Sequence, residues 1–309
     1  MRFENEFVGF TVKEILINEL GFSKRAITSL KSREDGILIN GSHATVRAKI
    51  KENDVLVINC DDVDNNQDKL IPSSVLPEII YEDEDIIAVN KPPFMPTHQS
   101  QGHFYDTLAN SLAYYFSQQS RPFVFRSVNR LDRNTSGIVL VAKNRLASSK
   151  LSNQMKNDGI SKSYIAILQG ELSLDEGIIQ TYIRRKEKSI ILREVCEKTE
   201  DSKIAITSYR VLSKKNGMSL VIATPITGRT HQLRIHFAHL GAQILGDDLY
   251  GSASDLIDRH ALHAYKLSFK HPISQKETEL FAPVPNDMNK IIQKYFGKDI
   301  IDNGTRKQN

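Results

Sequence analysis

A polar stretch near residue 65 is the feature that most constrains how this chain can fold. Residues 61–68 read DDVDNNQD, which is acidic and has no apolar periodicity, and Pro72-Ser73-Ser74 follows. Such a segment has too little apolar surface to join a core. We therefore predict a linker over residues 61–76. It separates a unit of residues 1–60 from a larger domain of residues 77–298, and residues 299–309 form a frayed tail.

The composition is that of an ordinary globular protein. Of the 309 residues, 40% are hydrophobic and 25% are charged. The hydrophobic fraction is enough to form a buried core without disulfide or metal cross-links. Two cysteines, Cys60 and Cys196, lack metal-site spacing; this argues against a cysteine zinc site and fits a reducing cytosol. The N-terminus is acidic and the longest apolar runs have the length of one strand. We expect a cytoplasmic monomer without a membrane span.

Residues 1–60 show the pattern of a small α/β unit. Apolar residues at helical spacing predict a first helix over residues 12–20. A second helix begins after Ser23, a suitable N-terminal cap, and exposes Lys24 and Arg25. Two short apolar stretches follow, which predict strands.

The larger part of the chain alternates short strands and helices and has no repeat. This mixed order favours an α+β fold, with a mixed, largely antiparallel sheet and flanking helices. Strands are predicted at 86–89, 137–142, 163–168, 204–212 and 220–223, and helices at 147–156 and 229–240. In the last helix Leu233, Phe237 and Leu240 share one face, and Gly241 marks its end.

The distribution of charge carries more information than the net value of +4. Nine basic residues stand against two acidic ones between Arg121 and Gly170. Such an excess is typical of a surface that binds a polyanion. A solvated face of lysines would give the same pattern, so charge alone leaves both interpretations open.

Asp132 is the first candidate for chemistry. It lies in a turn-forming loop between Arg130 and Arg133, and nearby cations favour the charged form of a carboxylate. An ionised carboxylate can act as a nucleophile or a base. The competing interpretation is a turn aspartate that bonds its own backbone near residues 134–137.

Two further segments offer side chains suited to a site. Lys162 and Tyr164 open a strand and share one face, and a tyrosine can stack on a base. Thr230 and Arg234 are one turn apart on the predicted helix, where Arg234 can hold a carboxylate or a phosphate. Core or edge packing is the better explanation of Lys162 and Tyr164 when that segment is taken alone.

Other signals restrict the cofactors. His231, His236 and His239 resemble a metal cluster, but their offsets of five and three do not match a metalloprotease helix, so we predict no metal site. No glycine-rich nucleotide loop is present, so we predict no nucleotide cofactor. Lys91 lies where a strand breaks into a loop, and such loops often line sites.

Taken in order, these segments resemble the RluA-type family of RNA pseudouridine synthases over residues 78–285. The resemblance rests on Asn90-Lys91-Pro92, Arg130-Leu131-Asp132, Lys162-Ser163-Tyr164, the run from Thr227 to His236, Leu245-Gly246-Asp247 with Tyr250-Gly251, and Leu262-His263-Ala264. The first 60 residues resemble the ribosomal-protein S-four-type RNA-binding module. One position departs from the pattern, because Asn129 stands where the family usually has histidine.

The resemblance implies an isomerase that flips uridine out of structured RNA and needs no cofactor. It implies that Asp132 is the nucleophile, that Tyr164 stacks on the base and assists proton removal, and that Arg234 pairs with Asp132. Arg130 would fill the space left by the flipped base. Further RNA contacts are expected from Lys91, Lys162, Arg229, Lys24 and Arg25.

The target is expected to be ribosomal RNA, with transfer RNA as the alternative. Asn129 motivates a second alternative, a non-catalytic RNA-binding or assembly protein of the same fold. A third is a metal-dependent hydrolase that uses the histidines between residues 231 and 239.

Overall fold

A computed structural model describes residues 1–60, 70–297 and 300–301. Most of the predicted linker and tail, residues 61–69, 299 and 302–309, lies outside these residues. The end of the linker is packed rather than free, because the amide of Asn110 donates to the carbonyl of Ile71 (2.8 Å) and Ser111 donates to that of Val75 (2.7 Å). Ile300 and Ile301 pack against the main core, so the prediction of a frayed tail is wrong for these two residues.

Residues 1–60 form a four-stranded antiparallel sheet with the order β1-β4-β2-β3 and two helices packed on it. A capping box between Thr11 and Glu14 begins the first helix, which continues as a π-helix over Ile15–Glu19. Ser23 caps the second helix, as predicted. The elements are β1 Arg2–Glu4, α1 Val12–Glu14, α2 Lys24–Lys31, β2 Ile37–Ile39, β3 Ser42–His43 and β4 Val55–Ile58.

A ten-stranded sheet forms the centre of the larger part of the chain. Its order is β10-β9-β11-β12-β8-β13-β7-β6-β5, and β14 pairs with β13. The only parallel pair in the described part of this sheet is β13 with β7, so the α+β fold with a largely antiparallel sheet is confirmed. The strands are β5 Glu78–Glu82, β6 Ile86–Lys91, β7 Ser136–Ala142, β8 Ser161–Gln169, β9 Glu176–Arg185, β10 Arg193–Cys196, β11 Lys203–Lys215, β12 Met218–Pro225, β13 Leu262–Lys270 and β14 Glu277–Phe281.

Four helices flank this sheet. They are α3 Leu108–Ser117, α4 Arg145–Lys156, α5 Gln232–His239 and α6 Asn286–Tyr295. Strand β7 is buried along its whole length, because helices and loops cover both of its faces. No helix among the described residues is long and apolar enough to span a membrane.

The N-terminal unit packs against α4. Leu146 belongs to the same apolar cluster as the core of residues 1–60. Arg145 donates a hydrogen bond to the hydroxyl of Ser29 (2.7 Å), and Ser149 donates to the carbonyl of Gly21. The exposed residues Lys24 and Arg25 lie at the start of α2, within the unit that α4 supports.

The parallel contact between β7 and β13 positions the loop before β7. Gly137 has a φ of +115° and faces Ala264, and a Cβ at this position would lie 2.2 Å from the carbonyl oxygen of Ala264. Only glycine allows the two backbones to come this close. The same residue of β13 pairs with Tyr164 of β8, so the starts of three strands meet at one place.

Candidate active site

The junction of β7, β8 and β13 brings together three of the predicted site residues. Asp132 lies in the loop that enters β7 and is half-buried. Tyr164 lies near the start of β8, opposite Ala223 near the end of β12. Helix α5 follows β12 and carries Arg234, whose Nη1 is 3.7 Å from Oδ2 of Asp132. Antiparallel pairing of β8 with β12 therefore explains why residues 70 positions apart share one site.

The loop that carries Asp132 is bonded to the loop after β6. Thr97 donates from its hydroxyl to the carbonyl of Leu131 (3.0 Å), and the amide of Leu131 donates back (3.3 Å). On the other side, fully buried Arg259 donates to the carbonyl of Asn134 (3.1 Å). These bonds hold the backbone on both sides of Asp132.

Lys91 supports the same loop from beneath, so the prediction that it contacts RNA is wrong. Its side chain is fully buried, and Nζ donates to the carbonyls of Pro92 (2.8 Å), Met95 (2.7 Å) and Arg133 (3.2 Å). Three carbonyl oxygens match the three donors of an ammonium group. Burial lowers the pKa of Lys91 to about 7. The lysine ties the loop after β6 to the loop of Asp132.

Asn129 also has a structural role that the sequence did not reveal. It is buried, its amide nitrogen donates to the carbonyl of Ile138 (2.9 Å), and its Oδ1 accepts from the amide of Leu140 (2.9 Å). The carboxamide of Asn129 therefore links the loop that precedes β7 to the backbone of that strand. A neutral imidazole offers one donor and one acceptor as well, so Asn129 meets the same demand as histidine in number and kind.

Arg234 has a partner that sequence reasoning missed. Its Nε and Nη2 donate to Oδ2 (2.7 Å) and Oδ1 (2.6 Å) of Asp247. Burial alone would raise the pKa of Asp247, but the hydrogen bonds and charge of Arg234 hold it below its usual value. The bidentate pair leaves Nη1 directed to Asp132 at 3.7 Å, which is longer than a hydrogen bond. Arg234 is therefore near Asp132 as predicted, but it is anchored by Asp247.

His231 approaches Asp132 from the same side. Its Nε2 lies 3.9 Å from Oδ2 of Asp132, and its Nδ1 lies 2.8 Å from the hydroxyl of Tyr250. The amide of Arg193 in β10 donates to the same hydroxyl (3.0 Å). Burial is the main cause of a lowered pKa at His231, while the charge of Asp132 opposes the shift.

Helix α5 begins later than predicted. The helix was expected from residue 229, but His231 has a φ of +57° and the helix starts at Gln232. The side-chain oxygen of Gln232 accepts hydrogen bonds from the hydroxyl of Thr227 (2.8 Å) and the amide of Arg229 (2.9 Å), which folds the preceding residues into a turn. Thr230 is therefore not on the helix with Arg234. Leu240 is 42% exposed and is not on the core face, whereas the end at Gly241, with a φ of +75°, is confirmed.

Tyr164 is packed among apolar residues of two core clusters. Burial, and then the negative charge of Asp132, raise the pKa of its hydroxyl. A phenol in such a place stays neutral at physiological pH.

The remaining residues predicted to bind RNA differ in exposure. Arg130, Lys24 and Arg25 are exposed. Lys162 is half-buried, with Nζ 3.6 Å from the sulfur of Met155. Arg229 is half-buried and donates from Nε to the carbonyl of Ile204 (2.9 Å).

The three histidines of the α5 region do not face a common point. His236 is buried between the hydroxyls of Thr181 (3.0 Å) and Thr207 (2.9 Å), and His239 is exposed. Within residues 1–60, 70–297 and 300–301, the one group spaced like metal ligands is Asp83, Asp85 and His271, and Asp83 already accepts from His271 and Tyr81.

Known proteins resemble this chain over most of its length. The model of the RNA pseudouridylate synthase family matches residues 85–239. The uncharacterized RNA pseudouridine synthase YjbO of Bacillus subtilis is 38% identical over 92% of this chain and 98% of its own. Ribosomal large subunit pseudouridine synthase D of Zymomonas mobilis is 33% identical over 72% of this chain and 74% of its own.

A solved structure of a protein named as a pseudouridylate synthase has a fold similar to that of this chain. Human RNA pseudouridylate synthase domain containing 1 has a TM-score of 0.57 and 26% identity, covering 71% of this chain and 94% of its own. The fold and the relatives thus define an RNA-modifying isomerase. The chain belongs to the RNA pseudouridylate synthase family.

Proposed function

We propose that this chain converts specific uridines of structured ribosomal RNA to pseudouridine, with Asp132 as the nucleophile. The observation that carries the proposal is the half-buried carboxylate of Asp132, which faces Arg234 at 3.7 Å and whose charge contributes to the raised pKa of half-buried Tyr164. The rigid loop supplies the fixed geometry that a nucleophile needs.

The reaction rearranges bonds within one nucleotide. Asp132 donates an electron pair to the nucleoside, at the ribose or at the pyrimidine ring. The bond between N1 and the ribose breaks, carbon 5 bonds to the ribose in its place, and the proton of carbon 5 leaves as N1 gains one. Asp132 is released unchanged, so the sum is an isomerisation without an external reactant.

The environment of Tyr164 supports a stacking role under the uracil ring. Its raised pKa makes the tyrosinate costly at neutral pH. The hydroxyl therefore assists removal of the carbon 5 proton only if it passes its own proton to another group.

The surface next to the loop supports entry of an unstacked nucleotide. Arg130 and Arg133 are exposed on either side of Asp132, and the neighbouring loop exposes Phe94 (46%) and Tyr105 (62%). Cations bind phosphates and aromatic rings stack on bases. In this proposal, Arg130 fills the space that a flipped uridine leaves.

Ribosomal RNA is proposed as the target because relatives of this chain are named for the large ribosomal subunit. The test is to map pseudouridines in total RNA from cells with and without the gene, and to restore the gene as wild type or Asp132→Asn. We expect ribosomal sites that disappear with the gene and return only with the wild type. Loss confined to transfer RNA would replace the proposed target, and an unchanged map would overturn the function.

A further inference from the structure

The hydroxyl of Tyr250 fixes the position of the proton on His231. Because the amide of Arg193 donates to this hydroxyl (3.0 Å), the hydroxyl's own hydrogen is free for another acceptor. His231 Nδ1, 2.8 Å away, is assigned as that acceptor, because the opposite tautomer would turn the lone pair of Nε2 toward the carboxylate of Asp132. A neutral imidazole carries one N–H, which therefore lies on Nε2.

This Nε2–H group faces the nucleophile together with Arg234. Nε2 of His231 and Nη1 of Arg234 lie 3.9 Å and 3.7 Å from the same oxygen, Oδ2 of Asp132. Contacts of this length in a free enzyme commonly shorten when substrate binds. The shortest contact that each of the two groups makes with Asp132 is to Oδ2 and not to Oδ1.

The backbone of His231 also points to a specific role. Its φ of +57° is a left-handed conformation that is uncommon outside glycine, although asparagine, aspartate and histidine adopt it more often than other residues. Such strain persists where the surrounding structure imposes it. Here the turn bonded by Gln232 and the hydroxyl of Tyr250 hold the residue in place.

We propose that His231, oriented by Tyr250, is a positioning residue that holds Oδ2 of Asp132 together with Arg234, so that Oδ1 is the oxygen that bonds to uridine. This inference rests on the proposed role of Asp132. A neutral donor suits the task, because it orients the carboxylate without adding a second positive charge beside it. Burial keeps the pKa of His231 below its usual value, in agreement with a neutral ring.

The test compares side chains that differ in reach. His231→Gln places an amide N–H at about the position of Nε2, whereas His231→Asn, which suits a left-handed φ, ends short of it. His239→Phe, at an exposed histidine at the end of α5, is the control. The measurement is the single-turnover release of tritium from RNA labelled at carbon 5 of uridine, with RNA affinity and thermal unfolding followed in parallel.

We expect His231→Asn to lower the single-turnover rate by about 10- to 100-fold, the loss typical of a hydrogen bond to a charged group. RNA affinity should stay within about twofold, since the contact is to the enzyme's own carboxylate. His231→Gln should recover most of the rate. Tyr250→Phe should slow wild type by about tenfold and have little further effect in His231→Asn, because the two residues act as one unit.

Equal losses in the Gln and Asn variants, or additive losses with Tyr250→Phe, would overturn the inference, as would a wild-type rate in His231→Asn. Asp132→Asn separates this inference from the proposed function. If that variant is inactive and the His231 variants are fast, only the role of His231 fails. If Asp132→Asn itself keeps the wild-type rate, the proposed nucleophile fails.

Discussion

Arg234 and Asp247 form a bidentate ion pair in which both side chains are almost completely removed from water. The carboxylate also accepts from the amides of Leu249 (3.1 Å) and Tyr250 (3.2 Å). The pair thus connects the helix that carries Arg234 to the loop that carries Tyr250. The guanidinium that faces Asp132 is held from behind by a second carboxylate.

Breaking this pair should impair both stability and catalysis. Asp247→Asn keeps the shape but removes the carboxylate that neutralises buried Arg234, which costs about 3–5 kcal/mol of the free energy of unfolding. The freed guanidinium is expected to move to Asp132 and reduce its nucleophilicity. Urea denaturation and single-turnover assays measure the two effects.

Asp175→Asn is the matched control for this substitution. Asp175 pairs with Lys214 at 2.7 Å but is 82% exposed, so its loss should cost less than about 1 kcal/mol. A similar small cost for Asp247→Asn would mean that the buried pair contributes no more than an exposed one.

The nucleophile itself gives the simplest prediction. Asp132→Asn should abolish tritium release, because a carboxamide is a poor nucleophile, while RNA affinity stays within about twofold. Asp158→Asn is the control, since Asp158 has a φ of +56°, which asparagine tolerates well. Measurable turnover by Asp132→Asn would assign the nucleophile to another group.

The sequence predicted the parts of the molecule that local patterns determine. The apolar run of β7 and the cap at Ser23 were found where expected, because strand hydrophobicity and capping are local properties. Asp247 was missed as the anchor of Arg234, since a separation of 13 residues says nothing about contact. Lys91 was expected at the surface, where most lysines lie, and its three carbonyl partners exist only once two loops meet. The sequence pattern placed His231 within a helix. Its φ of +57° could not be predicted, because the bonds that impose it come from tertiary structure.

Lys91 should give stability a measurable pH dependence. Its pKa is about 7 in the folded protein, whereas lysine in an unfolded chain titrates near about 10.4. Between these values the unfolded chain binds more protons, so this lysine's contribution to the free energy of unfolding rises with pH. Relative to Lys91→Met, wild type should gain about 1 kcal/mol per pH unit between about pH 7 and about pH 10.

Urea denaturation at several pH values checks this expectation. Lys276→Met, at an exposed lysine, should show no such trend. A difference between wild type and Lys91→Met that is constant with pH would mean that Lys91 stays an ammonium ion among its three carbonyls throughout.

The N-terminal unit should contribute to RNA binding separately from the chemistry. Deletion of residues 1–60 is a poor test, because it exposes Leu146 on α4. Reversing the exposed charges with Lys24→Glu and Arg25→Glu leaves that contact intact. We expect affinity for a long structured RNA to fall about tenfold. The slope of log K against the logarithm of the salt concentration should become shallower, by an amount that corresponds to the loss of up to about two phosphate contacts. The single-turnover rate on a short substrate should change by less than about twofold.

The control makes the same change of charge on another exposed helix. Lys290→Glu with Lys294→Glu, one turn apart on α6, should leave RNA affinity near the wild-type value. Binding titrations at several salt concentrations measure the slope in both double variants. Equal weakening of RNA affinity in the two double variants would attribute the effect to total charge. If the Lys24 and Arg25 variant instead lost turnover of the short substrate as much as it lost binding, residues 1–60 would be part of the catalytic fold.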